Sequence, residues 1–120
     1  MSFGHTLTEL RTERGIYQKE LATYLKVSIG TISNYEKDRH FPDPNTLCKL
    51  ADFFGVSADY LLGRTDFRYN SEWLRRPFTD TYSVSDFVNT SLELSPQHKY
   101  VVAEYVDMLK QREQTTSSCK

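Results

Sequence analysis

Val27-Ser28-Ile29-Gly30-Thr31-Ile32-Ser33-Asn34-Tyr35-Glu36-Lys37-Asp38-Arg39 decides how the rest of this 120-residue chain is read. Ser28 suits a helix N-cap, because its hydroxyl can accept from an orphan N–H of the first turn. Helical spacing then places Ile32 and Tyr35 inward with Val27. Ile29, Gly30, Thr31, Ser33, Asn34 and Lys37 are left facing out. That outer face is slim and carries hydroxyl and amide groups, whereas an ordinary solvated helix face is filled with Glu, Lys and Arg. A face of this kind suits a groove lined with hydrogen-bonding edges, and the major groove of DNA is wide enough to admit an α-helix.

Upstream, Phe3, Leu7 and Leu10 sit at i, i+4 and i+7, which predicts a first helix running to about Arg14 and stopped by Gly15. A second helix is expected from Gln18 to Leu25, with Leu21, Ala22 and Leu25 inward. The short turn between Leu25 and Ser28 is that of a helix-turn-helix. Downstream, Phe41-Pro42-Asp43-Pro44 breaks the chain. Asp43 as N-cap and Pro44 at the first helical position start a fourth helix with Leu47, Leu50, Ala51 and Phe54 inward. Cys48 is expected beside that core face, buried or half-buried. Gly55 ends the helix, Ser57 caps a short fifth one over Ala58 to Leu62, and Gly63 closes it.

Residues 64–83 show no clear period, yet they hold Phe67, Tyr69, Trp73, Phe78 and Tyr82. A free linker is poor in aromatics, so this connector is expected to pack on the first domain or on a partner. Ser83 or Ser85 can cap a helix covering Asp86 to Leu92. Ser95-Pro96 opens a stronger one through about Arg112. Val102, Val106 and Leu109 form one apolar stripe on it, and Val101, Tyr105 and Met108 form another. So wide an apolar surface predicts a subunit interface. The domain reading is therefore 1–63, 64–83, 84–113 and a flexible tail at 114–120. The fold class is all-α.

Composition narrows the function classes. The net charge is −1, and residues 1–66 hold eight Lys/Arg against nine Asp/Glu, so any nucleic-acid affinity must come from local placement of charge. No apolar run approaches the ~20 residues of a membrane span. The Met-Ser-Phe-Gly-His start reads as no export signal, and a cytoplasmic protein is expected. Cys48 and Cys119 are too few for a disulfide framework, and oxidation of Cys119 on the tail would be adventitious. His5, His40 and His98 lack ligand spacing, so neither a metal nor a cofactor is expected. No nucleophile–base set or carboxylate pair points to an enzyme.

Gln18-x-x-x-Ala22, Val27-Ser28, Ile32, Glu36, Leu50-Ala51, Gly55-Val56-Ser57 and Leu61-Leu62, in that order, resemble the phage-repressor-like Xre family of helix-turn-helix regulators. The resemblance covers roughly residues 4–63. It implies a five-helix DNA-binding domain, bacterial or phage-encoded, with its third helix in the major groove. It further implies that Gln18 reaches a phosphate or orders the base-reading face. Ile29, Gly30, Thr31, Ser33 and Asn34 would approach bases or backbone, and Lys37 and Arg39 would meet phosphates. Lys19, near the start of the second helix, and Ser28, at the cap, join this candidate set. Glu36 would pair with Arg11.

Two departures from the family pattern matter. Lys26 stands in the turn where glycine is usual, and a left-handed backbone there would cost roughly 1–2 kcal/mol. Ile29 and Gly30 replace the long amides common at the leading positions. Base reading then falls to Asn34, which can bond adenine in a bidentate way, supported by Thr31 and Ser33, with Ile29 able to pack on a thymine methyl. The C-terminal half resembles the dimerising hairpin of Sin-type regulators. The implied protein is a repressor binding a palindromic operator as a homodimer. The competing reading is an antitoxin or anti-repressor module whose main partner is another protein.

Overall fold

The computed structural model describes residues 2–118, so Cys119 lies outside the described residues. Among the described residues eight helices follow in chain order: α1 (Phe3–Arg14), α2 (Gln18–Leu25), α3 (Ile29–Glu36), α4 (Pro44–Phe54), α5 (Ala58–Leu61), α6 (Ser71–Arg75), α7 (Val84–Glu93) and α8 (Pro96–Ser118). The chain is all-α: among the described residues the only β-pairings are isolated bridges, Val56 with Tyr69 and Pro77 with Ser83. It divides into two compact units, the first ending at Trp73 and the second beginning at Leu74.

In the first unit the helix limits follow from local chemistry. Ser2, Ser28, Asp43 and Ser57 each accept a backbone N–H three residues on, which satisfies an orphan donor of the first turn. Gly15 and Gly55 close α1 and α4 in the left-handed conformation. Lys26 closes α2 in the same conformation at φ 60°, its N–H shared between the Ala22 and Thr23 carbonyls. The turn therefore keeps the geometry that glycine would adopt freely, and the strain stays in the folded state.

Leu7, Leu21, Ile32, Leu50, Val56 and Leu61 are fully buried, with Phe3, Leu10, Ala22, Leu25, Tyr35, Ala51 and Phe54 around them. Burying one such Leu or Ile contributes about 1.5–3 kcal/mol. α3 packs on α1 and α2, while α4 meets α2 and α5 meets α1 and α4. Gly4 permits the closest approach. A Cβ there would lie 2.3 Å from the Glu36 carbonyl oxygen and 2.7 Å from that of Tyr35.

Three details differ from the sequence pattern. Cys48 is exposed, not buried, because it sits one residue past Leu47 and so about 100° around the helix from the core stripe. A short helix, α6, forms where no period was legible. Asn70 Oδ1 accepts the Glu72 N–H at 3.1 Å and turns the chain into it. Helix α8 continues past Arg112 to Ser118, with the Thr115 and Thr116 hydroxyls donating back to the Gln111 and Arg112 carbonyls. No Gly or Pro intervenes to stop it.

The aromatic connector is shared between the units. Its first part belongs to the five-helix head. Ser57 N–H donates to Arg68 O at 3.0 Å, Arg68 pairs with Glu13 at 3.2 Å, and its guanidinium lies 5.5 Å from the Tyr60 ring centroid. Its later part belongs to the second unit, where Phe78 meets Phe87 at 4.6 Å between centroids. There Ser83 and Asp86 form a reciprocal capping box that starts α7. Among the described residues, none from Leu74 onward is buried.

Candidate nucleic-acid interface

Helix α3 presents its outward residues on a backbone fixed at both ends. At the start, Ser28 Oγ accepts the Thr31 N–H at 3.1 Å and lies 2.9 Å from the Thr31 hydroxyl. Ile29 is half exposed at 49%. Gly30 is exposed too, and a Cβ added there would meet nothing closer than Ser28 Oγ at 3.7 Å. Thr31, Ser33 and Asn34 are half-buried on the same helix. Among the described residues no hydrogen bond engages the Asn34 side chain, while its carbonyl accepts from the Arg39 and His40 N–H groups.

Lys37 and Arg39 are exposed just past α3, and Lys19 is exposed on α2. Between the two cations, Asp38 adopts φ 58° and Oδ1 accepts the Gly4 N–H at 2.9 Å. Its carboxylate is thereby turned toward the N-terminus of α1, whose dipole favours a negative charge. Hydrogen bonds from the Ser2 side chain and the Gly4 N–H hold the Asp38 carboxyl below the usual carboxylate range. The charge that weakens this loop on paper is held at the start of α1, although Asp38 itself stays exposed.

Behind the face lies a polar network. Arg11 Nε donates to Glu36 Oε2 at 2.7 Å, and Arg11 Nη2 donates to Glu36 Oε1 at 3.1 Å. The side chains are 17% and 7% exposed. Arg11 Nη1 also donates to the Ile16 carbonyl at 2.9 Å, just before α2. Gln18 Nε2 donates to Glu36 Oε1 at 3.1 Å. Burial alone would push the Glu36 carboxyl up. Hydrogen bonds from Arg11, Gln18 and Thr8, with the Arg11 charge, outweigh it and leave the group below its ordinary value. Arg11 is shifted up, chiefly by its hydrogen bond to Glu36.

The structure thus brings together Arg11, Gln18 and Glu36 in one cluster, and Ser28 to Asn34 on one helix. Sequence reasoning missed Gly4 and the tether of Asp38 to its N–H. An isolated Gly inside a helical pattern costs helix stability and so points to a packing reason, and Gly4 carried that signal. The tether from Asp38 spans distant sequence and left no local sign.

Val101, Tyr105, Val106, Met108 and Leu109 are exposed along α8, whereas Val102 is half-buried and helps line a cavity of about 300 Å³ with Phe78, Phe87 and Leu94. Among the described residues no helix is long and apolar enough to cross a membrane.

Comparison with known proteins places this geometry. Residues 4–66 match the helix-turn-helix domain family model. The HTH-type transcriptional regulator ImmR of Bacillus subtilis is 43% identical over 72 residues, covering 60% of this chain and 57% of ImmR. The chain thus spans less than two thirds of that relative's length. The P22 c2 repressor, solved with a synthetic operator, superposes with a TM-score of 0.52 at 28% identity, over 54% of this chain and 98% of that one. A transcriptional regulator from Listeria innocua shares the fold over 92% of this chain and 94% of its own, with a TM-score of 0.52 at 23% identity. The chain belongs to the helix-turn-helix domain family, in the Xre-like branch that its sequence resembles.

Proposed function

We propose that this chain is a sequence-specific DNA-binding transcriptional regulator, a repressor that binds a palindromic operator as a homodimer with α3 in the major groove. The observation that carries the reading is the α3 face. It is small, uncharged over Ile29 to Asn34 and capped at Ser28, with Lys37 and Arg39 exposed at its exit. Asn34 reads a base edge, supported by Thr31 and Ser33, and Ile29 offers a methyl contact. Lys19, Lys37 and Arg39 meet phosphates.

One head neutralises few phosphates, so affinity must come from two heads whose binding free energies roughly add. The second unit supports such pairing. Without a buried residue among those described it lacks a core of its own, and small units need burial to fold. A second copy packed on Val101, Tyr105, Met108 and Leu109, with Val106 and Val102 beside them, would supply that core.

The test is binding of the full-length protein to duplexes from a random-sequence library at several salt concentrations. Log affinity should fall steeply with log salt. Asn34→Ala should cost about 1–3 kcal/mol of discrimination at one position. Absence of any sequence preference at low salt would overturn the proposal. That outcome would favour the second reading, a module whose main partner is another protein, which the exposed apolar surface of α8 and the charge of −1 both suit.

A further inference from the structure

We propose that Glu36, backed by Arg11, is a positioning residue that fixes which atoms Gln18 offers to DNA. The inference rests on the DNA-binding reading above and deepens it. A side-chain amide can be flipped to present either its oxygen or its NH2 group, and only its hydrogen-bond partners decide between the two. Glu36 decides here. An ionised carboxylate only accepts, so the group 3.1 Å from Glu36 Oε1 must be the Gln18 NH2. The Gln18 carbonyl oxygen and second N–H are then turned away from Glu36 as a fixed acceptor–donor pair.

Arg11 makes that assignment firm. Two of its N–H groups occupy both Glu36 oxygens, and a third holds the Ile16 carbonyl two residues before Gln18. The chain just before α2 and the last residue of α3 are thereby tied to one guanidinium, and Gln18 reaches it through Glu36. Stability alone does not call for this arrangement, since a well-packed apolar pair often replaces a buried ion pair without loss. A fixed amide does call for it. A freely flipping Gln18 would match a phosphate, which accepts only, in one orientation and an adenine edge, which both donates and accepts, in another.

The experiment uses the full-length protein and the duplex that the wild type enriches most from a random double-stranded library. Gln18→Ala should weaken binding roughly tenfold, the scale of one good polar contact. Glu36→Gln should weaken it comparably or change the preferred base. In the double variant, the Glu36 change should add nothing further. Arg11→Met/Glu36→Leu, which keeps the packing volume but removes the carboxylate, should reproduce the Glu36→Gln effect if that variant fails to fold.

Folded variants that keep wild-type affinity and preference overturn the inference, as do losses at Gln18 and Glu36 that multiply. If Asn34→Ala alters discrimination while Gln18→Ala and Glu36→Gln are silent, the DNA reading stands and the positioning role falls. If the wild type enriches no sequence, both fall.

Discussion

Lys26 and Asp38 are the two non-glycine residues with positive φ among those described, and they differ in kind. Asp38 recovers its backbone cost through the Gly4 N–H, whereas Lys26 gains only the ordinary closing bonds of a helix. Lys26→Gly should therefore stabilise the protein. Relief of about 1–2 kcal/mol of strain outweighs the roughly 0.4–1 kcal/mol of freedom that glycine gives the unfolded chain. The urea midpoint should rise, and a fall would refute the strain argument. Glu36, Asp38, Asp43 and Asp86 share the acid response. All four are held below their ordinary values, so the folded state binds fewer protons than the unfolded chain near those values. Their contribution is complete above the ordinary carboxylate range, about pH 4, and is lost as pH falls through the depressed folded values. Urea midpoints between pH 7 and pH 2.5 should decline on the acid side, with a shallower decline in Glu36→Gln. A midpoint that climbs on acidification would contradict the assignment.

Between elements, the contact of α1 with α3 is the demanding one. Gly4→Ala would ordinarily help a helix by up to about 1 kcal/mol. Here the new Cβ meets the Glu36 and Tyr35 carbonyls at 2.3 and 2.7 Å, and the backbone must part. A net loss of about 1–3 kcal/mol in chemical denaturation is expected. Arg11→Ala leaves the 7%-exposed Glu36 without its main partner and should cost about 2–3 kcal/mol, less than a fully buried pair would. Arg11→Met/Glu36→Leu should cost less than the single change. The limits of α1 to α5 were legible because their causes are local: Ser28 and Asp43 cap, Pro44 starts, and Gly15 and Gly55 stop. The Gln18–Glu36 link, the Asp38 tether and the Gly4 clearance join residues far apart in sequence, which no period encodes. α6 was hidden for a different reason, since five residues are too few to show a helical repeat.

At the scale of the whole chain, the proposed pairing predicts a dimer in sedimentation at tens of micromolar (about the range for a modest interface). Leu109→Glu, on an exposed apolar position of α8, should shift the protein toward monomer. It should also lower affinity for an enriched palindromic duplex by roughly a hundredfold, the order of what linking two sites contributes. A monomeric wild type would remove that reading. The second unit was less legible than the head because Val101, Tyr105, Val106, Met108 and Leu109 of α8 stay exposed, and no buried core imposes one register on them. The boundary after Trp73, inside the five-residue α6, has an evolutionary consequence. The family match ends at residue 66, and the head closes its own core before the second unit begins. On the proposed reading, a single genetic crossover near codon 73 would exchange the address on the DNA while leaving the strength of self-association to be inherited unchanged.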